Sequence, residues 1–338
     1  VFHTLFSEEA IEYRAMARIG YDAYTLGNHA FDFGVEPLVQ MFSNARLKDS
    51  LCTFPLLISA NVRCEGVPAE QYAILERNGL RIGVFGLMGE DSHNVMGAKA
   101  RGVVEYRNPV EAAKEIVGIL KPQTDYIIAL SHGGVSCGDD VKLAKKVKGI
   151  DFVVSGHDHD VFHKPEYVRG TPLGSVGASG KYVGKAVFQD GELVEYRLIP
   201  ADASVSPDPD MEAWIDSMFD VVNVEFEKLS GKRLDDTIAF MEKGYPDFPD
   251  ENGTMVLGTN IAASYRKAAI ANMPEVSPSE IIGVVPMGVI RKGLKGGAIT
   301  NKDAFEVLSL GENERGRTGY PLVCAWITGQ ELADICEL

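Results

Sequence analysis

Three short segments place residue types that bind metal ions directly after a predicted buried strand. Gly27-Asn28-His29 follows residues 23–26, Ser131-His132 follows residues 127–130, and Gly156-His157-Asp158-His159 follows residues 152–155. Imidazole nitrogens and amide or carboxylate oxygens are common ligands of divalent metal ions. Loops at strand ends are where layered α/β domains carry their chemistry. The three segments therefore predict a single metal-binding site.

The first segment also carries a candidate catalytic pair. Gly27 permits a sharp turn at the strand end, and the carbonyl oxygen of Asn28 is available to a metal ion. His29 and Asp32 are three residues apart, so Asp32 would face His29 across one turn, orient it and favour its charged form. Taken alone, an Asn-His pair is much more typical of a capping asparagine beside a surface histidine than of a metal site.

The third segment has the spacing of a two-metal site. In an extended segment His157 and His159 point the same way, with Cα atoms about 6.6 Å apart. Two such imidazoles can serve two ions spaced about 3.5–4 Å. All seven histidines lie at or before His163, so histidine chemistry belongs to the N-terminal half. His93 and His163 lack a strand-end context and are interpreted as ordinary surface or loop residues.

The surrounding pattern predicts an α/β domain followed by a second one. Strands are predicted at residues 56–61, 82–87, 126–130 and 152–155, and helices at 7–17 and from Asn108-Pro109 onward. A helix from Asp208-Pro209 to Gly231 follows a polar loop at 201–208. The predicted domains are residues 1–200 and 233–338, joined by a linker and helix at 201–232. Residues 326–335 are predicted to be a strand that turns into a helix.

Composition limits the classes of function. The chain has 338 residues and a formal net charge of −15, which disfavours binding of long nucleic acid but not of a small anion. No apolar run is long enough to span a membrane. None of the five cysteines forms a C-x-x-C pair, and Cys52 and Cys64 could either pair or remain two small apolar residues.

The three motifs, in this order, resemble those of the calcineurin-like metallophosphoesterases. Residues 27–34 are similar to the G-N-H-E-F-D-F-G segment of the 5′-nucleotidase family, with Ala30 in place of Glu, and Ser59-Ala60-Asn61-Val62 matches the strand that follows it. Residues 291–332 resemble the family's C-terminal substrate domain, although residues 286–291 depart from the usual N-G-G-G-I-R. The family's D-x-H and bridging G-D motifs would lie upstream of Val1. We therefore expect the chain to be a fragment that holds at most one metal ion tightly.

The resemblance implies a four-layer α/β/β/α sandwich followed by a smaller α/β substrate domain. It implies two divalent metal ions (Zn, Mn, Mg or Co), with Asn28, His132 and His157 on one ion and His159 on the other. His29, held by Asp32, would act in catalysis, and Arg291 would contact substrate or form a surface salt bridge.

The implied activity is hydrolysis of nucleotide phosphomonoesters in an extracytoplasmic compartment, with nucleotide sugars or 2′,3′-cyclic nucleotides as related substrates. A thiosulfate-ester hydrolase and a non-enzymatic secreted surface or adhesion protein are the alternatives. The sequence leaves the oligomeric state open.

Overall fold

The computed structural model describes residues 8–310 and 321–337. Within them the chain divides between Met218 and Phe219 into two compact units. The domain boundaries predicted from the sequence, at residues 200 and 232, stay predictions. Both units contain helices and strands, as the alternation of predicted elements indicates.

The first unit contains most of the regular structure. Its strands are β1 (Ala23–Tyr24), β2 (Leu56–Leu57), β3 (Val62–Arg63), β4 (Tyr72–Arg77), β5 (Leu80–Met88), β6 (Glu105–Tyr106), β7 (Tyr126–His132), β8 (Phe152–Ser155), β9 (Glu166–Val168), β10 (Thr171–Gly174), β11 (Tyr182–Gln189) and β12 (Glu192–Pro200). Its helices are α1 (Ile11–Ile19), α2 (Val35–Lys48), α3 (Glu90–Asn94), α4 (Ala98–Arg101), α5 (Pro109–Leu120) and α6 (Asp139–Lys146), and α7 (Pro209–Ser230) runs across the division.

Six of these strands form one sheet in the order β4-β5-β7-β8-β10-β9. The four central strands are parallel, and β4 and β9 pair antiparallel at the edges. Because parallel strands end at the same edge of a sheet, the segments that follow β5, β7 and β8 begin side by side. This edge carries two of the three predicted motifs.

Helix α5 shows how the sequence covers one face of this sheet. Asn108 caps the helix by accepting from the backbone N–H groups of Val110 and Glu111, and Pro109 occupies the first turn. The apolar residues of this helix recur at helical spacing and are buried in one cluster with strand residues such as Phe85, Ile127 and Val153. They are Val110, Ala113, Ile116, Val117 and Leu120.

A second apolar cluster lies around β1, β2 and the helices α1 and α2. It includes Tyr13, Leu26, Phe31, Leu38 and Met88. Strand β1 pairs parallel with β2, and the 3-10 turn Asn28–Phe31 follows shortly after β1. The turn that carries the first motif is therefore anchored in this cluster by Leu26 and Phe31.

Two predicted elements near this cluster need correction. The predicted helix at 7–17 begins at Ile11 and ends at Ile19; Ser7, its predicted cap, lies outside the described residues. The predicted strand at 56–61 ends at Leu57, and Ile58 makes only an isolated bridge to Glu70. Apolar character alone does not fix strand length, because a strand continues only as far as a partner supplies backbone hydrogen bonds.

The second unit is smaller and is also α/β. Strand β13 (Thr237–Met241) pairs antiparallel with β14 (Gly297–Thr300), and helices α8 (Val256–Asn272) and α9 (Asn301–Val307) accompany them. Thr300 and Asp303 form a capping box at the start of α9. The cluster of Met255, Leu257, Ile261, Ile290 and Val307 is its core.

The last described segment differs from the prediction in one respect. The predicted helix is confirmed as α10 (Gly329–Glu337), with Thr328 and Glu331 bonded to each other's backbone N–H groups at its start. The predicted strand at 326–328 is wrong, because residues 321–328 form no β-ladder. Among the described residues, no helix combines the length and the apolar character needed to cross a membrane.

Candidate metal-binding site

The carboxyl ends of β5, β7 and β8 bring distant segments of the chain together. Met88 is the register partner of His132, and Ser131 is the partner of Ser155. The backbone N–H of Gly89 donates to His132 O at 3.0 Å, which continues the alignment one residue beyond β5. The residues directly after the three strands therefore lie in one place, as the strand-end argument requires.

Asn28 reaches this edge from the turn after β1. Its Oδ1 lies 3.0 Å from Nε2 of His132. The buried hydroxyl of Ser92 donates to the same oxygen at 3.4 Å. Gly27 makes the approach possible, because a Cβ at this position would lie 2.6 Å from the His132 ring. The first and second motifs are thus in direct contact.

His157 completes the group from the end of β8. Its Nε2 lies 2.9 Å from Oδ2 of Asp91, and its ring centroid lies 5.1 Å from that of His132. His157 and His159 both have positive φ values, 86° and 61°. Non-glycine residues adopt this conformation at a cost and retain it where the surrounding structure holds them, which is common at functional sites.

The electrostatic environment keeps His132 neutral. Burial lowers the pKa of His132 to about 4, and the nearby His157, His29 and His159 add to the effect. A histidine binds a metal ion through an unprotonated ring nitrogen. His132 is therefore in the protonation state of a ligand at neutral pH.

The predicted catalytic pair is within hydrogen-bond distance. Nδ1 of His29 lies 2.9 Å from Oδ2 of Asp32, and the Asp32 side chain is more buried than that of His29. The 3-10 turn Asn28–Phe31 produces this spacing, because residues three apart eclipse each other in such a turn. The catalytic role of the pair stays a prediction.

The two other predicted site residues are placed as follows. His159 is exposed and lies close enough for its charge to affect the pKa of His132. Arg291 belongs to the second unit, where its Nη1 donates to Gly288 O at 3.3 Å. Its contact with substrate, like the ligand role of His159, stays a prediction.

The donor atoms fit part of a divalent-metal site. The described residues contain no group of three or more His, Cys, Asp or Glu side chains arranged to hold an ion. Asn28 Oδ1 and His132 Nε2, however, are 3.0 Å apart, and two ligands bonded to one ion at about 2.1 Å lie roughly that far apart. A neutral imidazole and an amide oxygen are also chemically suitable ligands.

Replacement of Gly27 by alanine tests whether the site is as closely packed as this. The added Cβ would meet the His132 ring, so we expect the free energy of unfolding to fall by about 1–3 kcal/mol. Gly97→Ala is the control, because a Cβ there meets nothing within 4 Å. Urea unfolding of both variants is the measurement, and equal stabilities would contradict the close contact between Gly27 and His132.

The chain is similar in sequence to known 5′-nucleotidases. No protein-family model matches the chain. A 5′-nucleotidase of Vibrio cholerae is 28% identical over 348 residues, covering 89% of this chain and 60% of the Vibrio protein. Protein UshA of Yersinia enterocolitica is 33% identical over 225 residues, covering 56% of this chain and 40% of UshA.

The chain is a relative of the 5′-nucleotidase family. It spans about 60% of the length of the Vibrio 5′-nucleotidase. The solved structure of the sulfate thiohydrolase SoxB from Thermus thermophilus has a TM-score of 0.63 and covers 88% of this chain and 51% of SoxB at 18% identity. At that identity the likeness concerns the fold alone, and it confirms the predicted α/β fold class.

Two residues that the sequence did not single out contact the predicted ligands. Asp91 and Ser92 lie on α3 and contact His157 and Asn28, respectively. Their position is the signal that could have found them, because Gly89-Glu90-Asp91 begins two residues after the strand predicted at 82–87. His93, interpreted from the sequence as an ordinary surface or loop residue, lies on α3 and stacks on Tyr106 with ring centroids 3.9 Å apart.

Proposed function

We propose that the protein is a metal-dependent phosphomonoester hydrolase that acts on nucleotides, as a 5′-nucleotidase does. The observation that carries this proposal is the convergence of Asn28, His132 and His157 at the ends of separate strands. The similarity to the Vibrio 5′-nucleotidase, which extends over 89% of the chain, supports the same activity.

Two divalent ions are proposed as cofactors, with Zn, Mn, Mg and Co as candidates. Asn28, His132 and His157 would hold one ion and His159 the other. The chemistry supplied by such a centre is polarisation of the phosphoryl oxygens and a lowered pKa for the water that attacks phosphorus in line. The neutral state of His132 and its contact with Asn28 support the assignment of these two ligands.

His29 and Asp32 are proposed to assist departure of the leaving group. Nδ1 of His29 lies within hydrogen-bond distance of Asp32, and with a proton on Nδ1 this bond would orient the ring so that Nε2 faces a substrate. From that nitrogen a protonated His29 would stabilise the charge that develops on the leaving oxygen or donate a proton to it. The phosphate and the alcohol are then the two products.

The substrate is proposed to be a nucleoside monophosphate, with Arg291 as a contact for its phosphate or ribose. Nucleotide sugars and 2′,3′-cyclic nucleotides are related substrates that the same chemistry could hydrolyse. The negative net charge of the chain is consistent with a small anion rather than a long polyanion. We also propose an extracytoplasmic location, which rests on the family resemblance.

The test is hydrolysis of AMP to adenosine and phosphate, of UDP-glucose to UMP and glucose 1-phosphate, and of 2′,3′-cyclic AMP to a ring-opened AMP. Each reaction is followed by chromatography of its products, with the full-length protein and with added Mn²⁺ or Zn²⁺ or a chelator. We expect the chelator to abolish AMP hydrolysis. His157→Ala should lower kcat/KM by at least about tenfold, because even residues that only support a ligand cost that much. His163→Ala is the matched control, since its ring faces Tyr182, with centroids 6.0 Å apart, rather than the His132 group.

Two results would overturn the proposal. An unchanged rate of AMP hydrolysis in His157→Ala would show that His157 is not a ligand of a catalytic metal ion. Metal binding without hydrolysis of any of the three substrates would favour the non-enzymatic alternative or a different ester, such as a thiosulfate ester.

A further inference from the structure

A buried carboxylate lies directly beneath the ends of β7 and β8. Asp140, the second residue of α6, is 1% exposed. Its Oδ1 accepts a hydrogen bond from Ser131 Oγ and its Oδ2 accepts one from Ser155 Oγ, both at 2.5 Å. Each carboxylate oxygen therefore binds one hydroxyl, and the two hydroxyls belong to different strands.

The two serines occupy equivalent places relative to the proposed ligands. Ser131 and Ser155 are register partners on adjacent parallel strands. Ser131 directly precedes His132, and Ser155 lies two residues before His157. Asp140 thus joins the two strands at the point where the chain leaves the sheet to present its histidines.

The surroundings of Asp140 leave little freedom to shift. A Cβ on Gly133, the residue after His132, would lie 2.5 Å from Asp140 Oδ1. The carboxylate therefore touches the loop after β7 as well as both serines. Burial raises the pKa of Asp140 to about 6, while the two serine hydroxyls act in the opposite direction. Burying a carboxylate costs free energy. In return, Asp140 makes directional hydrogen bonds to both strands, which an apolar side chain of the same volume would not make.

We propose that Asp140 is a positioning residue, which sets the spacing of His132 and His157 by holding the two strand ends through Ser131 and Ser155. The inference rests on the proposed function, because it takes these histidines as metal ligands. Outer partners of this kind keep first ligands in the geometry that an ion requires.

The chain offers a matched control at the other end of the same strands. Asp151 immediately precedes β8, and its Oδ2 accepts from the backbone N–H of Ile127 in β7 at 2.7 Å. Like Asp140, this carboxylate joins β7 to β8, but it does so at the edge remote from the histidines. Loss of Asp151 should weaken the strand pair without altering the ligands.

The experiment measures binding of Co²⁺ alone to the full-length protein by calorimetry and by the visible absorption of the bound ion. We expect Asp140→Ala to raise the Kd for Co²⁺ by roughly 10- to 100-fold and to change the absorption spectrum. Asp140→Asn should keep a Kd close to that of the wild type, because an amide can accept from one serine and donate to the other. Asp151→Ala should retain both the Kd and the spectrum.

The outcomes separate this inference from the proposed function. Equal Kd values for Asp140→Ala and Asp151→Ala would overturn the positioning role and leave the metal centre intact. A wild-type protein that binds no Co²⁺, or binds it as well after His157→Ala, would instead overturn the metal centre. If Asp140→Ala fails to fold, Ser155→Ala provides the test: removal of one of the two hydroxyls should still raise the Kd, and an unchanged Kd would contradict the proposal.

Discussion

Replacement of Gly86 by alanine is expected to lower the free energy of unfolding by about 3 kcal/mol or more. Gly86 lies two residues before the end of β5. A Cβ there would be 1.9 Å from the carbonyl oxygen of Ile58 and 2.5 Å from Thr25 Oγ1. The first of these atoms belongs to the backbone, so a side-chain rotation cannot relieve the clash. The backbone N–H of Ala60 also donates to Gly86 O at 2.8 Å, which holds the two segments together.

The same substitution should disturb the candidate site. The chain from Thr25 leads within three residues to Asn28, so moving this segment away from β5 would move Asn28 away from His132. Gly118→Ala is the control, because Gly118 is inside α5 and a Cβ there meets nothing within 4 Å. That variant should be as stable as the wild type or more stable by up to about 1 kcal/mol. Urea unfolding is the measurement. A free energy of unfolding for Gly86→Ala within about 1 kcal/mol of the wild-type value would contradict the close approach of Gly86 to Ile58.

Replacement of Arg14 by alanine is expected to lower the free energy of unfolding by about 2–3 kcal/mol, because two carboxylates lose the buried guanidinium that binds them. Asp49 and Glu9 then keep only the more exposed Arg18 and Lys48 as partners. Arg14 is 6% exposed, and its guanidinium lies 2.7 Å from Asp49 Oδ2 and 3.0 Å from Glu9 Oε2. It also lies over the ring of Trp214 in α7, 5.5 Å from the centroid. The residue therefore ties α1 both to the end of α2 and to α7 within the first unit.

The pH dependence of the free energy of unfolding gives a second test of the ion pair between Arg14 and Asp49. Burial favours the neutral form of Asp49, but Arg14 and Arg18 outweigh it and hold the pKa of this carboxyl below its ordinary value. A carboxyl with a depressed pKa stabilises the fold above its unfolded-state pKa and loses that contribution as the pH falls. The stability difference between the wild type and Arg14→Ala should therefore shrink as the pH falls below 3.8, the ordinary value for aspartate.

An exposed ion pair is the control for Arg14. Arg77 pairs with Asp22, and both side chains are 54% exposed. Surface pairs of this kind contribute about 0–1 kcal/mol. Arg77→Ala should therefore unfold at nearly the urea concentration of the wild type. Equal losses for the two arginine variants would contradict a structural role for the buried Arg14 cluster.

Local sequence patterns predicted the start of each helix that begins with a capping side chain and a proline. Asn108-Pro109 began α5 and Asp208-Pro209 began α7 because capping groups and a proline at the first turn act within a few residues. The strand predicted at 56–61 failed, since its length depends on pairing with a segment far away in the chain. The helix start at Ile11 was missed for a related reason: its N-cap, Ala10, has a φ of 49° and no capping side chain that the sequence could reveal.

The sequence by itself determined that histidines stand at the end of β7 and shortly after β8, and so it predicted the kind of chemistry. Hydrophobic periodicity and glycine positions suffice for this, because they are properties of neighbouring residues. Only the tertiary structure decided which of these side chains meet. Strand register sets Ser131 beside Ser155, and the approach allowed by Gly27 and Gly86 sets Asn28 against His132. Asn28 and His132 are 104 positions apart. Their contact depends on packing across the sheet, which no local pattern encodes.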